Sequence, residues 1–250
     1  MDVHITTLAE RPALAGKLWQ MKDLWPEFMM YDPVGWSHIG RIVAEFPEYV
    51  LVATDGPDGE DVVARGFSVP FQLAAEGRGE LPDTGWDQVL LWAFSDLRHG
   101  RTPDTVSAIE ITVDTSALGN GVSHRMLSAM RDNARRLGHT RLVAPLRPNG
   151  KHLEAEGSIH EYAQRTRESD GLPHDPWLRV HVRAGGAVVK VAPASMTIGG
   201  SVAQWRSWTG LPFDTDGPVE VPGALVPVHC DTARGYAVYV EPNIWVRHQL

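Results

Sequence analysis

The chain has 250 residues, 43% hydrophobic and 22% charged, enough to bury a sizeable core and without the bias that marks disorder. Its net charge of -8 opposes a phosphate backbone, so no nucleic-acid partner is expected, and the arginines at 125, 131, 135, 136 and 141 read as a solvated helix face. A single cysteine, Cys230, rules out an intrachain disulfide and any cysteine-based zinc site. The N-terminus lacks a signal-like pattern and no apolar run approaches about 18 residues, so the expectation is a cytoplasmic protein with no membrane partner.

In chain order, residues 3–8 read as a short edge strand. Residues 11–24 have helical spacing through Leu14, Leu18, Met21 and Leu24, and Pro26 stops that helix. A stretch of large side chains follows, and a second helix is expected over 35–46. Residues 49–54 and 61–71 form a hairpin around the turn Asp55-Gly56-Pro57-Asp58-Gly59. Residues 74–85 read as a loop and 86–97 as a helix. The β-branched run at 106–113 is a strand. A glycine turn leads into a helix lined by Val122, Met126, Met130, Ala134 and Leu137, which Gly138 ends. Residues 141–146 form the next strand, and this βαβ unit makes the two strands parallel. Residues 150–172 are a polar, partly helical insertion. Asp175-Pro176 opens a helix over 176–184, a strand covers 187–192, and the tail holds a helix at 202–208, a proline-rich loop and a last strand near 236–240.

The turn at 113–123 reads V-D-T-S-A-L-G-N-G-V-S. A glycine turn between a strand and a helix N-terminus gathers backbone N–H groups in a concavity that suits a pyrophosphate, and the helix dipole adds about half a positive charge there. A dinucleotide fingerprint fails because His124 stands at its third glycine, no G-K-[ST] follows as in a P-loop, and no G-x-S-x-G nucleophile elbow is present. A plain tight turn is the alternative reading.

The turn resembles motif A of the GNAT acyltransferases, Q/R-x-x-G-x-G/A after a strand ending in Val. Val113 closes the strand, Gly121 matches the central glycine, and Gly119 a frequent extra one. Asp175-Pro176-Trp177 followed by Gly185-Gly186 is similar to the family's N-P-x-A…G-F motif. Leu118 stands where the family usually has Arg or Gln, and Ser123 where it has Gly or Ala.

The resemblance implies an α/β fold with a central mixed sheet and helices on both faces. It spans roughly 1–192, including the insertion at about 150–172, and leaves 193–250 as a C-terminal extension packed on the same domain. It implies an N-acyltransferase acting on a small amine with acetyl-CoA or another acyl-CoA as co-substrate, and no metal. Donor-binding residues would be Ile111, Val113, Leu118, Gly119, Asn120, Gly121, Val122, Ser123 and Asn149. Glu110 would be a base or substrate carboxylate, although the family's carboxylate more often falls at Ser107; an ion-paired strand residue is the other reading. The family's thiolate acid is a Tyr at the position of Val182, so His181 beside it takes the catalytic expectation, with a packed helix histidine as the alternative. Trp25, Phe28, Met29, Tyr31 and Trp36 would rim the acceptor pocket or else pack the core. The departures at Leu118 and Val182 leave two alternatives, a catalytically silent acyl-CoA-binding domain and an enzyme whose donor rides on an acyl carrier protein or is aminoacyl. Homodimers are common in such families.

Overall fold

The computed structural model describes residues 3–22 and 24–250. One nine-stranded sheet organises the chain, in the order β1-β2-β3-β4-β5-β9-β8-β7, with β6 joined to the other edge of β9. The strands are β1 (Val3–Thr7), β2 (Val50–Asp55), β3 (Val62–Phe71), β4 (Thr105–Val113), β5 (Arg141–Leu146), β6 (Ala187–Ser201), β7 (Gly217–Val219), β8 (Val228–Asp231) and β9 (Tyr236–Gln249). All pairings are antiparallel except β4 with β5, which is parallel as the βαβ pattern requires.

Helices cover both faces. Helix α3 (Val122–Arg136) lays Val122, Met126, Met130 and Ala134 on Ala64, Val106, Ala108, Leu142 and Ala144. Helix α5 (Pro176–Arg183) joins it on that side, with Leu178 packed against Leu146, Ile244 and Val246. The opposite face buries Phe67, Val69, Phe71, Val143 and Trp245 under α1 (Pro33–Glu45) and α2 (Gly85–His99). The insertion carries the short helix α4 (Ile159–Gln164), and α6 (Val202–Thr209) sits in the tail. No helix of the described residues is long and apolar enough to cross a membrane.

Two expectations change. The segment expected as a helix over 11–24 is a 3-10 helix over Pro12–Trp19 that buries Leu14 and Leu18, while Leu24 is exposed and Asp23 lies outside the described residues. Residue 192, taken as the end of the main domain, falls inside β6. The tail strand β9 lies between β5 and β6, pairing Leu146 with Ile244 on one edge and Ala192 with Asn243 on the other. The tail is therefore part of the sheet, and its last strand is fourteen residues rather than a short one near 236–240.

Candidate active site

Strands β4 and β5 are joined for a short distance and then part. They pair at Val106–Leu142 and Ser107–Val143, after which β4 continues on β3 alone and β5 on β9. A bulge marks the parting: Phe67 opposes Glu110 and Ser68 opposes Ala108, so Ile109 is the extra residue. Its carbonyl accepts the Trp86 indole N–H at 2.9 Å. Burial falls off at the same place, since Thr105 to Ala108 are buried while Ile109, Glu110, Ile111 and Val113 are half-exposed. The result is a wedge whose β4 edge presents backbone groups without a strand partner.

The N-terminus of α3 stands after β4. Gly121 is its N-cap at φ 70° and supplies no side-chain cap, so the first amides of the helix keep their hydrogens for a ligand. An L-residue at that φ costs about 1–2 kcal/mol, and a side chain there would project into open space. Leu118, Gly119, Asn120 and Gly121 are exposed, Ser123 is half-exposed and Val122 is buried under the helix. The Asn120 amide donates to the Ala117 and Leu118 carbonyls and so pins the turn. Asn149 is exposed in the segment after β5.

Glu110 faces the α1/α2 side, as its partner Phe67 does. Its carboxylate accepts the Arg65 Nε–H at 2.7 Å, with both side chains largely buried. Trp25 spans the mouth of the wedge: its indole N–H donates to Thr112 Oγ1 at 3.1 Å, and the Arg147 guanidinium lies over its ring at 5.8 Å. Arg147, in the segment after β5, donates to Glu241 at 3.0 Å and to the Gly223 carbonyl. Glu241 is fully buried and is further satisfied by the Tyr239 hydroxyl at 2.9 Å and the Asn243 amide at 3.1 Å.

Two more carboxylates lie on this face. Asp32 caps α1, its Oδ2 accepting the Gly35 N–H at 2.5 Å, and is 1% exposed. Asp87, in the first turn of α2, accepts the Thr197 N–H from β6 at 3.2 Å. Burial comes first in raising both carboxyls above the usual range; for Asp87 the facing Asp32 follows, and Glu241 raises each of them further. The helix start carrying Asp87 is fixed tightly. Gly85 has φ 36° and a Cβ there would strike Ser195, whose hydroxyl instead accepts the Trp86 N–H at 2.9 Å and donates to Asn243.

The expected residues divide. Glu110, Ile111, Val113, the turn 118–123 and Trp25 gather around the wedge. His181 does not. It is 2% exposed, its Nδ1 lies 3.0 Å from His248 Nε2, and His248 pairs with Leu142 at the joined end of the strands on the α3/α5 side. Burial, then the neighbouring His248, push its pKa down to about 3, so it is a packed neutral imidazole and no acid for a departing thiolate. Ser107 is likewise buried in the joined segment. Phe28 and Met29 are core residues; Phe28 packs on Trp205 and Tyr239. Tyr31 is exposed and stacks on Trp208, and Trp36 is 83% exposed on the surface of α1. Sequence reasoning missed Asp32, Asp87, Arg147 and Glu241. The first two look like ordinary helix-start residues, and only the fold brings them together.

A parted β4–β5 pair ahead of an uncapped helix N-terminus, inside a mixed sheet with helices on both faces, defines a GNAT-type acyltransferase. No family model matches the chain. It is 34% identical over 274 residues to the arginine N-acetyltransferase avaD of Aspergillus versicolor, covering 98% of this chain and 93% of the relative. Among solved structures it is similar to the loading GNATL domain of CurA from Lyngbya majuscula, at TM-score 0.61, 16% identity and coverage of 100% and 98%. It is also similar to the GphF GNAT-like decarboxylase in complex with isobutyryl-CoA, at TM-score 0.52, 14% identity and coverage of 100% and 99%. The chain belongs to the GNAT-type N-acyltransferases, enzymes that transfer an acyl group to an amine.

Proposed function

We propose that the chain transfers the acetyl group of acetyl-CoA to an amine of arginine or of a small molecule bearing the same cationic group. The likeness to an arginine N-acetyltransferase supports this. The observation that carries it is the group of carboxyls on the acceptor face, where Asp32, Asp87 and Glu241 stand together and the nearby Arg147 guanidinium is taken up by Glu241.

The pyrophosphate of the donor meets the free amides at the start of α3, and its pantetheine arm pairs with the β4 edge along Ile111 and Val113. Leu118 cannot add the cationic or amide contact that an Arg or Gln gives, so the backbone amides carry the phosphate. Asn149 meets the arm from the β5 side. A neutral amine attacks the thioester carbonyl, a backbone N–H of β4 stabilises the oxyanion, the C–S bond breaks and the thiolate leaves. Glu110 receives the amine proton through water, with Arg65 holding its carboxylate in place. No tyrosine stands on α5 near the wedge, so the thiolate takes its proton from solvent.

The test is mass detection of acetylated arginine after incubation with acetyl-CoA, with agmatine, ornithine and tryptamine beside it. Arginine and agmatine are expected to be acetylated fastest. Acetylation of tryptamine alone contradicts the acceptor class. Transfer only from an acyl carrier protein contradicts the donor.

A further inference from the structure

We infer that Asp32 and Asp87 together form the receptor for the guanidinium of the acceptor, so that the α-amine is the nitrogen presented to the thioester. This rests on the reading of arginine as the acceptor and specifies how it is held.

Asp32 is 1% exposed, yet its Oδ1 receives no hydrogen from any donor among the described residues, and the same holds for Asp87 Oδ1. Their other oxygens accept backbone amides, from Gly35 and Thr197. The two carboxyls face each other, and burial holds both above the usual carboxylate range, with the facing Asp32 the next cause for Asp87. The charged groups around the pair offer no compensation. Glu241, reaching in from β9, adds negative charge, and the nearby cation Arg147 is already bound to Glu241, next to the Tyr239 hydroxyl. Lys190 of β6 is bound to Asp83 ahead of α2. Burying two carboxyls with free lone pairs and no cation is costly for a fold unless a ligand completes them.

The missing partner has a definite chemistry. Two carboxylates suit a planar cation with several N–H donors, which a guanidinium is and an ammonium is not. Among the described residues no group of three or more His, Cys, Asp or Glu side chains is placed to hold a metal ion. The pair also adjoins the wedge: Trp86, next to Asp87, binds the Ile109 carbonyl at the bulge where β4 and β5 part. When the guanidinium enters, both carboxyls ionise, and the proton that Asp87, raised to about 8, holds at pH 7 leaves to solvent, one per molecule bound.

The experiment is calorimetric titration of the full chain, saturated with CoA, with arginine, agmatine and citrulline at pH 7 in phosphate and in Tris. Their different ionisation heats report the protons released. Wild type is expected to release close to one proton per arginine and to bind citrulline far more weakly. Asp87→Asn and Asp32→Asn should each weaken arginine at least tenfold and abolish the release. Their melting temperatures should hold or rise, because a like-charge contact is gone. Mass fragmentation should place the acetyl group on the α-nitrogen. Unchanged affinity in both variants, no proton release, or acetyl on the guanidino group overturns the receptor. If arginine is acetylated while the variants bind it as wild type does, the receptor fails and the acceptor reading stands. If agmatine binds with Asp87-dependent proton release while neither arginine nor agmatine is acetylated, the acceptor reading fails and the receptor stands.

Discussion

His181 shows how a residue's surroundings decide its chemistry. On the sequence it stands one position from where the family keeps its thiolate acid, and an imidazole ordinarily titrates in the useful range. In the fold it lies between α5 and β9 against His248 and Trp177, where burial removes its proton. His181→Ala is expected to lower stability by about 2 kcal/mol, as a cavity does, while turnover per folded molecule stays at the wild-type value. Urea denaturation and steady-state rates on the same sample measure both, and a loss of turnover with unchanged stability would restore a catalytic role. Arg147 behaves oppositely. Arg147→Ala strands Glu241 buried and without its cation, and should cost about 3–5 kcal/mol in the same denaturation assay. A cost below about 1 kcal/mol would show that water reaches the carboxylate.

Elements were legible where local chemistry agreed with the fold. The β-branched run of β4, the amphipathic stripe of α3 and the Asp-Pro start of α5 appear within a few residues of their expected bounds. Strand β9 runs on past the expected end near 240 through Glu241-Pro242-Asn243, a triplet that on sequence alone resembles a strand end. Those residues are buried instead, opposite an irregularity in β6 between Ala192 and Met196, and satisfied by Arg147, Tyr239 and Ser195. A polar triplet that only tertiary partners can satisfy leaves no local signal. The same applies to Asp32 and Asp87, which come together only when α1 and α2 pack. Asp175 carried a clearer sign. It accepts the Trp177 and Leu178 amides at the start of α5, and also the Gly150 amide and the Tyr162 hydroxyl at 2.9 Å each. It thus ties the insertion to the helix, and Asp175→Ala should cost about 3 kcal/mol, read as a lowered urea midpoint. A cost near that of an exposed cap would mean the insertion is held elsewhere.

At the scale of the whole molecule, β9 closes the sheet between β5 and β6. A chain ending at residue 235 should therefore fail to fold, which circular dichroism and proteolysis would show; a folded product would return the tail to the status of an addition. Stability should also depend on pH in two opposite ways. The folded pKa values of His181 and His248 are depressed to about 3 and about 4, so their contribution is present above the ordinary histidine value of 6.5 and is lost as pH falls below it. The Asp32–Asp87 pair is raised, so its contribution is largest in acid and is lost as pH rises from the ordinary carboxylate range to about 8. Between pH 6.5 and 8 the acid pair acts without opposition from the histidines, so the melting temperature should decline there, and Asp87→Asn should flatten the decline. An equal slope in the variant would assign it to other groups.

The proposed function rests above all on the wedge of β4 and β5 and the start of α3 being the donor half of the site. The direct test is thiol release from acetyl-CoA with arginine as the varied substrate, in wild type and in Gly121→Trp, whose indole would block the amides at that helix start. Saturable, arginine-dependent release that disappears in a folded Gly121→Trp is the predicted result. Release that ignores arginine, or a variant that turns over as wild type does, would contradict it.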